Sequence, residues 1–318
     1  GGMVANAAEV KLAKTSFEVV EGGTVVIPIQ LDLTAAEVGL YKTFQLDATL
    51  SNSNFALSSV TMAAERKVAA QASQYLEQIA GKTFGIVGMK NAAVIMGESG
   101  DFLYLTIDAS SATSGDVCTV TFNKAKGGDI AGVETDATCN LTATITVVDY
   151  VTIDENVDFT PFEITKDVHL IRSFEAGKYY TICLPFAVNA TALTAAFGTK
   201  PTLYKFNGVS LDSDELNKIT LDFASSALIA ANTPYIMLSN VTIDNPVFAG
   251  AKVKAVTNNI TVTVTEEEYL GSDVSFVGTY TPNTVVPAGA LYLKSSDAKL
   301  YVSQGGTKMK GTRAYIDI

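Results

Sequence analysis

The sequence predicts an all-β fold made of two β-sandwich domains, and three observations carry this prediction. The chain has 318 residues, 47% of them hydrophobic and 17% charged, which is more apolar material than one core usually holds. Apolar and polar residues alternate along many short segments, as they do in half-buried strands. Glycine, asparagine, aspartate and serine separate these segments, as expected of turns between strands.

Seven segments of the first half are predicted to be strands. Thr24–Leu31 contains Pro28, which places this strand at a sheet edge or a bulge because proline has no amide hydrogen to donate to a neighbouring strand. Phe44–Leu50 alternates between apolar and polar side chains throughout. The other strands of this half are predicted at Phe84–Val87, Val94–Met96, Phe102–Ile107, Val117–Phe122 and Leu141–Val148.

One stretch of the first half has a helical pattern instead. Residues Ala63–Ala80 contain no glycine or proline, and Gly81 follows where a helix cap favours glycine. Apolar residues recur at intervals of three and four, at Val68, Ala72, Tyr75, Leu76 and Ile79. This pattern predicts one amphipathic helix that covers the first sandwich; a partner-binding helix is the alternative.

The strand pattern pauses at residues 149–166, and we place the domain junction there. The first domain is predicted to span residues 1–150, the junction residues 151–165 and the second domain residues 166–318. Charge supports the division, because residues 1–160 hold 9 Lys or Arg against 19 Asp or Glu, a net charge of −10. Residues 161–318 hold 13 against 14, a net charge of −1, so the negative charge belongs to the first domain.

The second half is again rich in predicted strands. A short helical turn is predicted at Thr191–Phe197. The strands are predicted at Val168–Phe174, Tyr179–Leu184, Thr202–Phe206, Lys218–Phe223, Pro234–Leu238, Ile260–Thr265, Val274–Tyr280, Leu291–Leu293, Leu300–Val302 and Arg313–Ile318.

The three cysteines allow at most one disulfide within the chain. Cys118 and Cys139 each lie in phase with the apolar residues of a predicted strand, so both sulfurs are expected to point at the core. Two interpretations stay open for this pair. The cysteines form a disulfide that closes a loop of about twenty residues and contributes about 3 kcal/mol, or they are two small buried hydrophobes. Cys183, between isoleucine and leucine, is interpreted as a core thiol.

Composition argues against an enzyme and against nucleic-acid binding. His169 is the one histidine and lies in an alternating strand; a nucleophile needs a nearby base, and no Gly-x-Ser-x-Gly motif accompanies it. A histidine-ligated zinc site is excluded for the same reason, and no cofactor is expected. The formal net charge of −11 repels phosphate backbones. No apolar run of eighteen residues occurs, so no transmembrane segment is predicted.

Acidic residues at the junction offer the best candidate for a metal site. Asp154, Glu155 and Asp158 lie close together in the sequence, and calcium needs only oxygen ligands. The spacing does not match the twelve-residue calcium loop. Solvated loop charge is the alternative interpretation of these three residues.

Tyrosines are the candidate ligands for a glycan. The chain has no tryptophan, the ring most often used as a sugar platform, so Tyr41, Tyr150, Tyr179 and Tyr180 are the aromatic candidates. Core or edge-strand packing explains the same tyrosines equally well.

The first half resembles cohesin-like modules over about residues 9–148. Ser16–Ile29 matches their opening, in which a short strand and a glycine turn lead into a strand containing proline. The likeness continues at Phe44–Leu50, at Asn91–Ile107 and at Ala112–Val117. This resemblance implies a jelly-roll sandwich that binds proteins, typically a calcium-loaded dockerin. The helix predicted at Ala63–Ala80 departs from the simplest pattern, and no contact residues are transferred.

The second half resembles a module found in exported surface and cell-adhesion proteins of gut Bacteroides-type bacteria. The matching segments keep their order and spacing, and are Gly177–Phe186, Asn232–Leu238, Phe276–Tyr280, Leu291–Leu293 and Gly311–Ile316. This resemblance implies an exported protein at the cell surface or associated with the outer membrane. We expect an export signal to have been removed ahead of Gly1.

These observations together predict a non-catalytic adhesion or scaffold protein. Its partner is expected to be a surface or extracellular protein, bound through β-faces or edge strands. The alternative is a glycan-binding accessory module that captures carbohydrate.

Overall fold

The computed structural model describes residues 8–66, 83–87, 95–211, 218–257, 260–266 and 272–318. The chain divides into two compact units, Gly1–Asp149 and Tyr150–Ile318. Within the described residues the structure is built from β-strands, with a 3-10 turn at Ala64–Arg66 and one α-helix, α1, at Ala190–Phe197. The prediction of an all-β fold is confirmed.

The first unit contains ten strands among its described residues. They are β1 (Glu9–Lys11), β2 (Ser16–Val20), β3 (Thr24–Asp32), β4 (Tyr41–Leu50), β5 (Ala56–Met62), β6 (Thr83–Val87), β7 (Asp101–Asp108), β8 (Val117–Asp129), β9 (Glu134–Ala137) and β10 (Leu141–Val148).

These strands form two sheets around one core. Sheet A has the order β1-β3-β7-β5, and sheet B has the order β2-β10-β8-β4-β6, with β9 paired to β8. Alternate residues of β3, Ile27, Ile29 and Leu31, are completely buried because successive strand residues point to opposite faces. Burial of each such side chain contributes about 2 kcal/mol. β2 runs parallel to β10, whereas the other pairs in the two sheets are antiparallel.

Pro28 lies in an interior strand and not at a sheet edge. β3 has neighbours on both sides, but β1 pairs only with Gln30–Asp32. Pro28 therefore lies beyond the end of β1, where no strand needs its missing amide hydrogen. A register shift between β3 and β7 follows at Ile29 and Gln30.

The helix predicted at Ala63–Ala80 lies outside the described residues beyond Arg66. The 3-10 turn Ala64–Arg66 occupies its first positions. Arg66 is buried, and one of its terminal nitrogens, Nη2, donates a hydrogen bond of 2.9 Å to the carbonyl oxygen of Leu31.

The second unit contains sixteen strands among its described residues. They are β11 (Tyr150–Asp154), β12 (Ile164–Ile171), β13 (Ser173–Phe174), β14 (Tyr179–Leu184), β15 (Thr202–Leu211), β16 (Ile219–Ser226), β17 (Thr233–Leu238), β18 (Ile243–Asp244), β19 (Val247–Val253), β20 (Thr261–Glu266), β21 (Ser272–Thr279), β22 (Thr284–Val285), β23 (Leu291–Lys294), β24 (Lys299–Val302), β25 (Lys308–Met309) and β26 (Arg313–Asp317).

The described strands of the second unit form three main sheets. Sheet C has the order β11-β12-β19, sheet D the order β14-β17-β15-β16 and sheet E the order β20-β21-β26-β23-β24. Sheets D and E face each other, because Phe206 of sheet D shares a core with Val274, Phe276, Ala314 and Ile316 of sheet E. The pairs β13-β18 and β22-β25 are separate two-stranded sheets.

The structure differs from the predicted junction at residues 151–165. β11 is an ordered strand that pairs in parallel with β12, and its residues Val151 and Ile153 are buried. Burial of these apolar side chains stabilises the segment as a strand of sheet C. The acidic residues that start at Asp154 therefore begin at the end of a strand of the second unit.

The helical turn predicted at Thr191–Phe197 is confirmed as α1. Asn189 caps its start, since its side-chain oxygen accepts a hydrogen bond from the amide of Ala192. Gly198 ends it with a φ of 79°, a conformation that glycine adopts without strain. Phe197 is buried against Phe174 and Phe248.

Candidate functional site

The second unit contains an open groove between sheets D and E. Its cavity volume is about 990 Å³, at the upper end of the range of roughly 300–1,000 Å³ that is typical of ligand sites. Sheet D lines the groove with Tyr179, Tyr204, Ile219, Thr220, Leu221, Asp222, Phe223 and Ile236. Sheet E and the residues next to its strands line it with Leu291, Leu293, Ala298, Leu300 and Ile318.

The groove crosses all four strands of sheet D. Tyr204 of β15 pairs with Ile236 of β17. Ile236 in turn pairs with Thr181 of β14, two residues after Tyr179. β16 lies on the other side of β15 and supplies five lining residues. Because neighbouring strands lie about 4.8 Å apart, the outer strands β14 and β16 are roughly 15 Å apart.

Aromatic side chains fill part of the space between sheets D and E. The rings of Phe206 and Phe223 lie 5.3 Å apart, and the ring of Phe276 lies 5.6 Å from Phe223. Away from these rings the lining consists mostly of aliphatic side chains that reach solvent. Leu300 is 38% exposed and Ile318 is 42% exposed, and contiguous apolar surface left in water is typical of a binding site.

The groove is chemically suited to bind apolar groups. Nine of its described lining residues are apolar, two are tyrosines, and Asp222 is the one that carries a charge. The Asp222 carboxylate accepts a hydrogen bond of 2.8 Å from the side-chain amide of Asn207. Such a surface provides apolar contact and one negative charge.

The four candidate tyrosines lie in different places. Tyr179 lines the groove, whereas Tyr180, the next residue, points to the opposite face of β14 and is buried against Phe174. Tyr41 is 2% exposed and donates a hydrogen bond of 2.6 Å to Glu37. Burial, together with this bond, raises the pKa of Tyr41 to about 12. Tyr41 and Tyr180 are therefore core residues, which corrects their interpretation as sugar platforms.

Tyr204 is a groove residue that sequence reasoning missed. The Thr202–Phe206 strand was predicted, but its alternation does not say which of its faces remains open. The register of Tyr204 with Ile236 depends on residues 32 positions apart in the sequence, and no local pattern reveals it.

His169 forms a stack with the fourth candidate, Tyr150. Their ring centroids lie 4.0 Å apart and the ring planes differ by 2°. The two residues lie on adjacent strands, where Thr152 of β11 pairs with His169 of β12. The tyrosine ring thus covers one face of the imidazole.

The acidic residues Asp154, Glu155 and Asp158 accept hydrogen bonds from other groups of the same chain. Asp154 accepts a hydrogen bond from the amide of Asn156, and Asp158 accepts one of 2.9 Å from the hydroxyl of Thr281. Glu155 accepts a hydrogen bond of 2.7 Å from Arg313. Within the described part of the chain, no group of three or more His, Cys, Asp or Glu side chains is suited to hold a metal ion.

Glu155 is the centre of a cluster of positive charges. Lys310 lies 3.5 Å and Arg172 lies 3.8 Å from its carboxylate, in addition to Arg313. Burial alone would raise the pKa of Glu155, but the hydrogen bond from Arg313 and the three cations lower it below its ordinary value. This carboxylate is neutralised by protein cations, which argues against calcium binding at Glu155.

All three cysteines are free thiols. Cys118 pairs with Ile145 of β10, whereas Cys139 lies before the start of this strand at Leu141, and Leu141 is itself four residues, roughly 13 Å, from Ile145 along the strand. A disulfide needs its Cα atoms within about 7 Å, so the register keeps this pair apart and corrects the disulfide interpretation. Burial raises the pKa of Cys139 to about 11 and that of Cys183 to about 12.

No helix in the described part of the chain combines the length and the apolarity needed to span a membrane. No known protein-family model matches the sequence, and no curated protein matches it either.

Solved structures similar to this chain are cohesin modules. The seventh ScaB type I cohesin from Pseudobacteroides cellulosolvens is 17% identical, and the match covers 45% of this chain and 94% of that one with a TM-score of 0.34. The cohesin module of a family 33 glycoside hydrolase from Clostridium perfringens is 13% identical, and the match covers 45% of this chain and 98% of that one with a TM-score of 0.34. A non-cellulosomal cohesin from the archaeon Archaeoglobus fulgidus is 12% identical, with 45% and 92% covered and a TM-score of 0.32.

Proposed function

We propose that this chain is a non-catalytic adhesion or scaffold protein that binds another protein through its β-faces and edge strands. The observation that carries the proposal is the open, apolar groove between sheets D and E. Its exposed aliphatic side chains, such as Leu300 and Ile318, lose their contact with water only when a partner with apolar groups covers them.

The lining favours a protein partner over a glycan. Aliphatic residues dominate the groove, and they offer little to a ligand covered with hydroxyl groups. Glycan capture remains a second candidate function because Tyr179 and Tyr204 both line the groove, and tyrosine joins an apolar ring to a polar hydroxyl.

The proposed location is the surface of a bacterial cell, with the protein exported and held at or near the outer membrane. The resemblance of the second half to exported surface proteins of Bacteroides-type bacteria supports this location. The first unit also suits a solvated setting, since residues 1–149 hold 9 basic against 16 acidic residues, a net charge of −7.

A paired selection experiment tests protein binding against glycan binding. The whole chain is immobilised and offered to a phage-displayed peptide library and to a glycan array. Leu300→Asp places a charge in the groove, and Val302→Asp is its matched control because Val302 lies on the same strand, is 56% exposed and does not line the groove.

We expect peptides that bind the original chain and Val302→Asp but lose binding to Leu300→Asp. Glycan binding that is lost in Leu300→Asp, with no enrichment of peptides, would replace the proposed function by glycan capture.

A further inference from the structure

One wall of the groove is an edge strand with a regular alternating pattern. β16 is the last strand of sheet D and, within the described residues, pairs only with β15. Along it Ile219, Leu221 and Phe223 are half-buried, while Thr220 and Asp222 are exposed. An edge strand of this kind presents a row of backbone amide and carbonyl groups that another strand is able to pair with.

The opposite edge of the same sheet is closed. On β14 the carbonyl oxygen of Thr181 accepts a hydrogen bond of 2.8 Å from Arg172. The amide of Cys183 donates one of 3.0 Å to the carbonyl oxygen of Thr312. The backbone of β14 is thus used inside the unit, and β16 is the edge of sheet D that remains for a partner among the described residues.

The sequence of β16 does not protect this edge. Edge strands usually avoid pairing with other chains through proline, lysine, bulges or short length. β16 has eight residues and contains neither proline nor lysine, and the register shift in its pairing with β15 falls between Phe206 and Gly208, on β15. Its counterpart at the edge of sheet E, β24, has only four residues and begins with Lys299.

We propose that β16 takes up an extended segment of a partner protein in which apolar and basic residues alternate. The inference rests on the proposed function and identifies its partner class. In the added strand, apolar side chains lie beside Leu221 and Phe223 and extend the lining of the groove. The basic side chains lie on the other face, beside Asp222.

Charge makes a foreign segment a better occupant than a second copy of this chain. Asp222 is the one charged residue of β16, and opposite charges on adjacent strands are favourable. Antiparallel pairing of two β16 strands about Asp222 would place two carboxylates opposite each other, which is destabilising.

Binding of a synthetic peptide measures this strand addition directly. The probe has about nine residues that alternate lysine and leucine, with one leucine replaced by tryptophan. The chain has no tryptophan, so the emission of the probe reports binding alone. A second peptide carries glutamate in place of lysine. A third keeps the lysine sequence but has alternate backbone amides methylated, which removes hydrogen-bond donors without a change in the side chains.

We expect the lysine peptide to bind the whole chain at least about tenfold more tightly than the glutamate or methylated peptides. Asp222→Lys is expected to reverse the preference between the lysine and glutamate peptides. Asp244→Lys is the matched control, because Asp244 is also exposed in the second unit but does not line the groove, and it should keep the original preference.

Three results would overturn the inference: no binding of the lysine peptide, equal binding of its methylated form, or an unchanged preference in Asp222→Lys. A dimer of the chain that excludes the peptide in sedimentation equilibrium would overturn it too, since the occupant would then be a second copy. If the strand-addition test fails but peptides selected from the phage library still bind the chain, the proposed function stands and only strand addition is contradicted.

Discussion

Arg172 and Thr312 lie 140 positions apart in the sequence and are joined by a hydrogen bond of 2.8 Å from the guanidinium to the backbone carbonyl oxygen. Arg172 is 2% exposed and also donates to the carbonyl oxygen of Thr181. Its guanidinium lies 3.8 Å from the carboxylate of Glu155 and 4.9 Å from the ring centroid of Phe174. One buried cation thus connects sheets C, D and E of the second unit.

Arg172→Met is expected to destabilise the protein strongly. The substitution keeps much of the side-chain volume but leaves the carbonyl groups of Thr181 and Thr312 without this donor, and removal of one member of a buried charge network costs about 3 kcal/mol or more. Urea unfolding followed by circular dichroism measures the loss. Lys178→Met removes an exposed lysine that pairs with Glu175 and should leave the unfolding midpoint unchanged; an equal loss in both variants would contradict the role of Arg172.

Glu155→Gln is expected to cost stability at neutral pH and much less in acid. The pKa of Glu155 is lowered in the folded state, so its stabilising contribution is present above the unfolded pKa of about 4.3 and is lost as pH falls through the folded value. The measurement is the difference in unfolding free energy between the original chain and Glu155→Gln from pH 7 to pH 3. In an Arg313→Met background this pH dependence should shrink, and a difference that stays constant with pH would contradict the prediction.

Gly278→Ala is expected to overpack the core and to lower the free energy of unfolding by about 1–3 kcal/mol. A Cβ atom at this position would lie 2.7 Å from the sulfur of Cys183 and 3.1 Å from Ile260. Gly306→Ala is the matched control, because no atom lies within 4 Å of its added Cβ. Thermal unfolding compares the two variants, and Cys183→Ala should recover part of the loss in the double variant. Absence of any recovery would show that the sulfur is not the obstacle.

The three thiols are expected to resist modification in the folded protein and to react fully once it is unfolded. Burial raises the pKa values of Cys139 and Cys183, so little thiolate, the reactive form, is present at pH 8. Titration with a chromogenic disulfide reagent should count close to zero thiols in buffer. In denaturant it should count three, with or without prior reduction. A count of one in unreduced denatured protein would restore the disulfide between Cys118 and Cys139.

The strands were predictable because strand periodicity is a local property. Phe44–Leu50 lies within β4 and Val117–Phe122 within β8, as alternation indicated. The sheet-edge interpretation of Pro28 was wrong, because the tolerance for this proline depends on how short β1 is, and no feature of the Thr24–Leu31 segment contains that information.

The groove was only partly predictable, because it depends on contacts between distant segments. Tyr179 and Tyr180 look equivalent in the sequence, yet successive residues of a strand face opposite ways. Which side stays open is decided by the sheets that pack on each face. The same holds for Glu155, whose cations at positions 172, 310 and 313 come from other parts of the chain.

The place of β26 in sheet E has a consequence for biosynthesis. β26 lies between β21 and β23 and joins the two halves of the sheet, although residues 313–317 are translated after every other strand of the unit. Sheet E therefore closes only after these residues have left the ribosome. Until then β21 and β23 each expose an open edge in the nascent chain, and a chaperone that shields such edges would act in this interval.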